Sequence, residues 1–254
     1  MDKKTRQQRI CQLLVAHGDL AVEEISSTLG VSGMTVRRDL QALAESGKVL
    51  RTHGGATLAQ RISFEFSFLQ RAREHESGKA AIGRKAAGLV QDGQSVLLDS
   101  GTTTLALARC LRGKQRLTIV TTSLPIASQL QFDDAIEVLL VGGYLRSQSP
   151  DLAGALTESN LETIRADLAF IGADGIDASG GVYNQSPEIA RMLGRMAQSA
   201  QRVFVVADSS KLGKSALCRF GRLSDFEALI TDDAADRAMV ASLRKASANV
   251  ITAH

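Results

Sequence analysis

Apolar positions in the first fifty residues recur at helical spacing in three short blocks. Ile10, Leu13, Leu14 and His17 fall together on a helix over 5–17, preceded by the basic Lys3 and Lys4 and stopped by Gly18. Val22, Ile25 and Leu29 repeat the pattern on a shorter helix closed by Gly30, a residue suited to the left-handed position just past a helix end. Ser32 has the chemistry of an N-cap, and Val36, Leu40 and Leu43 at i, i+4 and i+7 give a third helix its buried face. A β-prone ribbon over 48–53 follows, turning at Gly54-Gly55.

From about Lys79 the pattern changes to apolar runs alternating with amphipathic ones. Strands are expected at 95–101, 117–123, 136–143, 168–175, 202–210, 228–231 and 249–253, with helices over 102–112, 124–131, 155–166, 186–200 and 233–246. This alternation predicts an α/β domain on a largely parallel sheet. Between the two regions, 59–78 is charged and alternates Phe64, Phe66 and Phe68 with polar neighbours, which reads as a short strand or extended arm. The organisation expected is therefore a small helical domain at 1–58, a linker at 59–78 and a larger domain at 79–254.

Composition removes several classes. The N-terminus is polar and no run of eighteen apolar residues exists, so a signal peptide or membrane span is not expected and the reading is a cytoplasmic protein. Three scattered cysteines and four scattered histidines predict neither a disulfide framework nor a metal site, and no cofactor is implied. A net charge of +3 decides nothing about nucleic acid. Local placement does: with Val36, Leu40 and Leu43 inward, Gly33, Thr35, Arg37 and Arg38 point outward near the start of the third helix, the part of a helix-turn-helix that meets base edges. An arginine there either forks onto guanine or contacts phosphate, and the sequence leaves open which does which. Asp39 reads as a structural partner for a basic side chain, and Lys48 and Arg51 would reach the phosphate backbone from a wing. The alternative is a helical bundle whose arginines are merely solvated.

In the larger domain, five polar or glycine-rich turns follow strands: DSGTTT at 99–104, TTS at 121–123, Gly142-Gly143, GADG at 172–175 and ADSSKLGK at 207–214. In the first, Gly101 permits close approach of backbone, and Thr102, Thr103 and Thr104 open a helix whose free N–H groups favour an anion and whose three hydroxyls add donors. Lys211 brings a cation to the same edge. Ligands in such sheets sit outside the carboxyl ends of the strands.

The stretch VSGMTVRRDLQALAESGKVLRTHGGA resembles the winged helix-turn-helix of the DeoR family of bacterial transcriptional regulators. DSGTTT, GGYLR, GADGID and ADSSKLGK extend the resemblance to that family's effector domain, itself similar to the ribose-5-phosphate isomerase fold. The fold class implied is α/β, an N-terminal winged helix-turn-helix domain joined to a larger α/β domain. The resemblance implies a regulator, a repressor of a sugar-metabolism operon, that binds double-stranded operator DNA as a homo-oligomer, a dimer or tetramer, under control of a phosphorylated sugar. Operator contacts would come from Ser32, Met34, Thr35, Arg37 and Arg38 and from Lys48, Arg51 and His53. Effector contacts would come from Asp99, Gly101, Thr102, Thr103, Thr104, Thr122, Gly143, Asp174, Glu188 and Lys211. Three departures stand out: Gly33 and Thr122 replace residues usual in the family, and Arg191 and Arg195 are the only cations in a helix where it often has lysine.

A sugar-phosphate isomerase is the rival reading, since Asp99, Asp174 and Glu188 could abstract a proton beside a carbonyl. Those isomerases keep a lysine between their Asp-bearing loop and their catalytic Glu, and they begin that loop with an acid. Here no lysine lies between Lys114 and Lys211, and Ile171 stands where the first acid would be. No catalytic residue is therefore assigned.

Overall fold

A computed structural model describes residues 1–58, 68–146 and 149–254. They divide into two compact units, the first essentially Met1–Arg71 and the second Ala72–Arg146 with Pro150–His254. Among the described residues, no helix is long and apolar enough to cross a membrane.

The first unit contains α1 (Lys3–His17), β1 (Leu20–Ala21), α2 (Val22–Leu29), α3 (Gly33–Glu45), β2 (Val49–Thr52) and β3 (Gly55–Leu58). Asp2 caps α1 by accepting from the Thr5 amide, Gly30 ends α2 in the left-handed conformation, and Ser32 caps α3 by accepting from the Thr35 amide. The inward face of α1 differs from the one expected: Ile10, Cys11 and Leu14 are buried, Leu13 is half-buried and His17 is exposed. The neutral cysteine is the better core residue, and His17 at the last turn meets solvent beside the helix end. These side chains pack with Val22, Ile25, Val36, Leu40, Leu43, Val49, Ala56 and Leu58 in one core. The strands form an antiparallel sheet in the order β1-β3-β2, so β1 closes against the wing. Glycine is required at 55, where a Cβ would lie 2.1 Å from the Leu20 carbonyl oxygen.

The stretch 59–78 was expected to be a strand or arm. Of it, 59–67, with Phe64 and Phe66, lies outside the described residues, while 68–73 is helical with Phe68 buried, and α4 (Glu76–Ala87) begins inside the expected linker. The residues of LQRARE from 69 to 74 are mostly good helix formers, and their propensity outweighs the aromatic alternation that precedes them.

The second unit continues with β4 (Ser95–Leu98), α5 (Thr102–Cys110), β5 (Leu117–Thr121), α6 (Leu124–Leu130), β6 (Ile136–Leu140), β7 (Tyr144–Leu145), β8 (Leu152–Ala153) and α7 (Ala155–Glu162). After these come β9 (Ala166–Gly172), β10 (Gly175–Ile176), β11 (Gly181–Asn184), α8 (Pro187–Gln198), β12 (Ala200–Val206), β13 (Cys218–Arg222), β14 (Ala228–Asp232), α9 (Arg237–Lys245) and β15 (Val250–Ala253). Seven strands make one sheet in the order β15-β14-β12-β9-β4-β5-β6, every pair parallel. One face buries Leu97, Val120, Ile171, Val205 and Leu229 beneath Met192, Leu193 and Met196 of α8 and Val240 and Leu243 of α9. On the other, α4 packs on α5 and against β14, and Phe170 stacks on Phe204 with centroids 5.2 Å apart.

The chain builds this sheet outward from β4 to β6, then returns to the other side of β4 with β9 and proceeds to β15. The direction of winding therefore reverses between β4 and β9, and in open parallel sheets a ligand crevice opens at such a reversal, beyond the carboxyl ends of the strands.

Candidate functional site

On the first unit, the outward start of α3 presents Met34, Arg37 and Arg38 to solvent, with Ser32 exposed and Thr35 half-buried. The Ser32 and Thr35 hydroxyls are 2.9 Å apart, so the cap residue is partly occupied by its own helix. Arg37 lies 3.5 Å from Glu23 of α2, an exposed pair of small energetic weight that leaves the guanidinium free to exchange partners. Arg38 faces no carboxylate among the described residues. Arg51 on β2 donates to the Gln41 side chain at 3.2 Å, and Gln41 donates to Glu45 at 2.9 Å, which aligns wing and helix; Lys48 and His53 are exposed. Gln41 shares the outward face of α3 with Arg37 and Arg38 at helical spacing, a signal the sequence reading passed over. Beneath this surface Asp39 is buried and takes the Arg6 guanidinium at 2.5 and 3.3 Å, tying α1 to α3.

On the second unit, the five turns follow the carboxyl ends of β4, β5, β6, β9 and β12, parallel strands of one sheet, and so share one edge. Asp99 stands just past β4 and accepts from the Gly172 amide at the end of β9 at 3.0 Å, across the reversal of winding, and from the Ser100 amide at 2.6 Å. Burial pushes the Asp99 carboxyl up to about 6; the two amides oppose that, while nearby Asp151 and Asp174 reinforce it. Gly101 precedes α5 without a side-chain cap, so amides of Thr102 to Thr104 open the helix uncapped. The Thr104 hydroxyl is not the free donor expected from sequence. It is buried and points back to the Asp99 and Gly101 carbonyls at 2.6 and 2.7 Å, because one helical turn places it directly over the strand end. Thr103 is buried at the same turn and Thr102 is half-buried.

Thr122 is fully buried just past the end of β5, and its hydroxyl has no hydrogen-bond partner among the described residues. Asp174 receives the Gln185 amide at 2.9 Å on one carboxylate oxygen. Lys211 lies half-buried in a single 3-10 turn after β12, where Asp208 holds the Ser210 amide at 3.1 Å and Gly213 donates to the Ile176 carbonyl at 2.8 Å, joining the segment after β12 to β10. Gly143 is a packing position, since a Cβ there would meet the Thr157 hydroxyl at 2.0 Å. Glu188 is exposed in the first turn of α8 and is bonded to none of the other candidates among the described residues.

Three polar residues at this edge escaped the sequence reading. Asp151, fully buried, accepts from Arg146 Nε and Nη2 at 2.6 and 2.7 Å and from the Ser100 hydroxyl. GGYLR carries the arginine of this triad, but the partner of that arginine is set by the fold. The edge as a whole joins an uncapped helix N-terminus, which favours an anion, to buried carboxylates, which accept hydroxyl donors. Among the described residues, no group of three or more His, Cys, Asp and Glu side chains is arranged to hold a metal ion.

A winged helix-turn-helix and a separate parallel-sheet α/β unit in one chain define a DNA-binding regulator with a sensor domain. Residues 6–61 match the DeoR-like helix-turn-helix domain and 74–233 the DeoR C terminal sensor domain, so the chain belongs to the DeoR family of transcriptional regulators. The chain is 34% identical over 246 residues to the HTH-type transcriptional regulator GlpR of Haloferax volcanii, covering 97% of this chain and 96% of that one. It is 34% identical over 234 residues to the glycerol-3-phosphate regulon repressor of Haemophilus influenzae, covering 92% and 91%. A solved structure of ribose 5-phosphate isomerase A from Neisseria gonorrhoeae is similar over 52% of each chain, with a TM-score of 0.39 and 18% identity. The family assignment sets the isomerase reading aside: the chain is a regulator and not an enzyme.

Proposed function

We propose that this regulator is a cytoplasmic repressor of an operon for sugar or polyol metabolism, and that it leaves or grips its operator according to the occupancy of the crevice between β4 and β9 by a small phosphorylated sugar or polyol. The observation that carries the reading is the pairing of an uncapped α5 N-terminus with buried Asp99 at the reversal of winding. The helix end suits the phosphate, and Asp99 with Asp174 suits hydroxyls. The relative named a glycerol-3-phosphate regulon repressor supports a ligand of this size and charge.

In this reading Arg37 and Arg38, with Ser32, Met34 and Thr35, face the major groove, and Lys48, Arg51 and His53 meet the backbone beside it. Thr102, Thr103 and Lys211 contact phosphate; Gly101 and Gly143 shape the walls, and Thr122 and Glu188 read the remainder of the ligand. The connection between the two units lies between Leu58 and Glu76, where α4 begins. One short recognition helix covers few base pairs, so the regulator acts as an assembly of identical chains on paired half-sites. Effector binding must favour one arrangement of the paired DNA units over another, since equal affinity for both would shift nothing.

The test is a thermal-shift and gel-shift panel with glycerol 3-phosphate and a series of hexose and pentose phosphates. One or a few of them should raise the melting temperature of the second unit and change operator affinity. A regulator whose operator affinity no phosphorylated sugar or polyol alters would refute the proposed effector class.

A further inference from the structure

Resting on the reading that identical chains assemble, we infer that the second copy docks on the end of the second unit formed by edge strand β6, the β7–β8 ladder and the start of α7. Of the strongly exposed large apolar side chains in the described part of this unit, all but Phe132 and Leu217 fall here: Leu139, Leu140, Tyr144, Leu145 and Leu156. The three segments are joined. Thr157 of α7 donates to the Gly142 carbonyl at 2.9 Å, β7 pairs with β8, and the Tyr144 ring lies 3.2 Å from where a Cβ on Gly154 would stand.

Together these side chains expose on the order of 500 Å² of apolar surface, at the upper end of what a monomer tolerates and well over half of the roughly 800 Å² per partner of a standard interface. The backbone of β6 adds to it. β6 closes its side of the sheet and pairs only with β5 among the described residues. Its sequence IEVLL carries a single charge, Glu137, and no lysine or proline, and its pairing with β5 is regular, without the bulge that guards an open edge. The opposite edge is guarded, as Arg244 donates to the Val250 carbonyl of β15 at 3.1 Å.

Charge favours a copy of the same surface as the occupant. Residues 136–156 include only Glu137, Arg146 and Asp151 as charged groups, and the last two neutralise each other. Two such faces meet with little repulsion, and an edge strand is self-complementary about a two-fold axis. The hairpin is also bonded to the candidate effector loop through Arg146, Asp151 and Ser100, so a contact between copies made by Tyr144 and Leu145 is mechanically tied to that loop.

Analytical ultracentrifugation of the full chain, with gel shifts on the same samples, tests the inference. The Tyr144→Glu, Leu145→Glu double variant should move the monomer–assembly midpoint at least tenfold higher in concentration, and Leu217→Glu should not. A Leu139→Glu variant with unchanged circular dichroism provides a second disruption on β6. Equal association of all variants and the parent chain would overturn the inference, as would a parent chain that is monomeric yet binds operator fully. So would protection of β6 amides from hydrogen exchange that persists in the dilute monomer, which would assign the cover to the chain's own 59–67. An assembly disrupted as stated, in a protein that binds no operator, would support the surface and sink the regulatory reading instead.

Discussion

Asp99 makes the stability of the second unit depend on pH in an unusual direction. The carboxyl is 6% exposed, and burial raises it from 3.8 to about 6. Between those two values the folded chain holds a proton that the unfolded chain has released, so the folded state is favoured at the acidic end and loses that advantage as pH rises through about 6. The gap, at about 1.4 kcal/mol per pH unit, amounts to about 3 kcal/mol, fully felt at pH 7. Asp99→Asn removes the titration while keeping one acceptor for the Gly172 amide. At pH 4 the parent chain, with a neutral carboxyl, and the variant should be similarly stable; at pH 7 the variant should be the more stable by up to about 3 kcal/mol. The chain contains two tyrosines, Tyr144 and Tyr183, and no tryptophan, so tyrosine fluorescence in urea reports the second unit alone. Urea midpoints at half-unit steps from pH 4 to pH 7 give the curve. Parallel curves for parent and variant, or a gap that widens toward acid, would refute the reasoning.

Further outcomes follow from the same contacts. Thr122→Val should stabilise the second unit by about 1 kcal/mol, because it removes a buried hydroxyl without a partner among the described residues, and should weaken the effector response if that hydroxyl awaits a ligand. Thr231→Val, equally buried and equally without a partner among the described residues, should stabilise without touching the response, and a matching loss in both would break the assignment of Thr122. Gly33→Ala should stabilise α3 by about 0.5–1 kcal/mol, read as a two- to fivefold gain in hydrogen-exchange protection, since the added methyl meets Val22 and Arg37 at 3.5 and 3.8 Å without a clash. Arg38→Ala should cost about 1–3 kcal/mol in operator binding and relax preference at one base pair, whereas Lys48→Ala should weaken all sequences alike and lower the salt slope by about one; identical behaviour of the two variants would remove the distinction between reading and positioning.

Much of the scaffold was legible because its signals are local. All seven strands of the parallel sheet appear as apolar runs, as strands buried in a parallel sheet do, and edge strand β6 keeps its run although part of it is exposed. The carboxyl ends of β4, β5, β6, β9 and β12 come earlier than the apolar runs suggest, as with β4, which stops at Leu98 before Asp99, because polar turn residues continue the run without marking where pairing stops; β14 and β15 end within a residue of expectation. The short strands β1, β7, β8, β10, β11 and β13 escaped, since two to five residues have no periodicity of their own and exist through their partners. The start of α9 moved from 233 to Arg237 because Asp236 accepts from the Met239 amide and caps it there. Asp39 was readable as a structural partner, but not that Arg6, 33 residues away, would meet it. Ser100 and Asp151, 51 residues apart, are likewise brought together only by the fold.

The central claim is that one chain reads DNA with α3 and its wing and is controlled by a phosphorylated ligand. It is tested most directly by capturing fragmented genomic DNA of the source organism on the purified protein, sequencing it, and repeating the capture with a pool of sugar and polyol phosphates. The account predicts one or a few enriched sites beside genes of sugar or polyol metabolism, with enrichment that changes when the pool is present. Enrichment at no site under either condition, or at sites indifferent to every phosphate supplied, would contradict it.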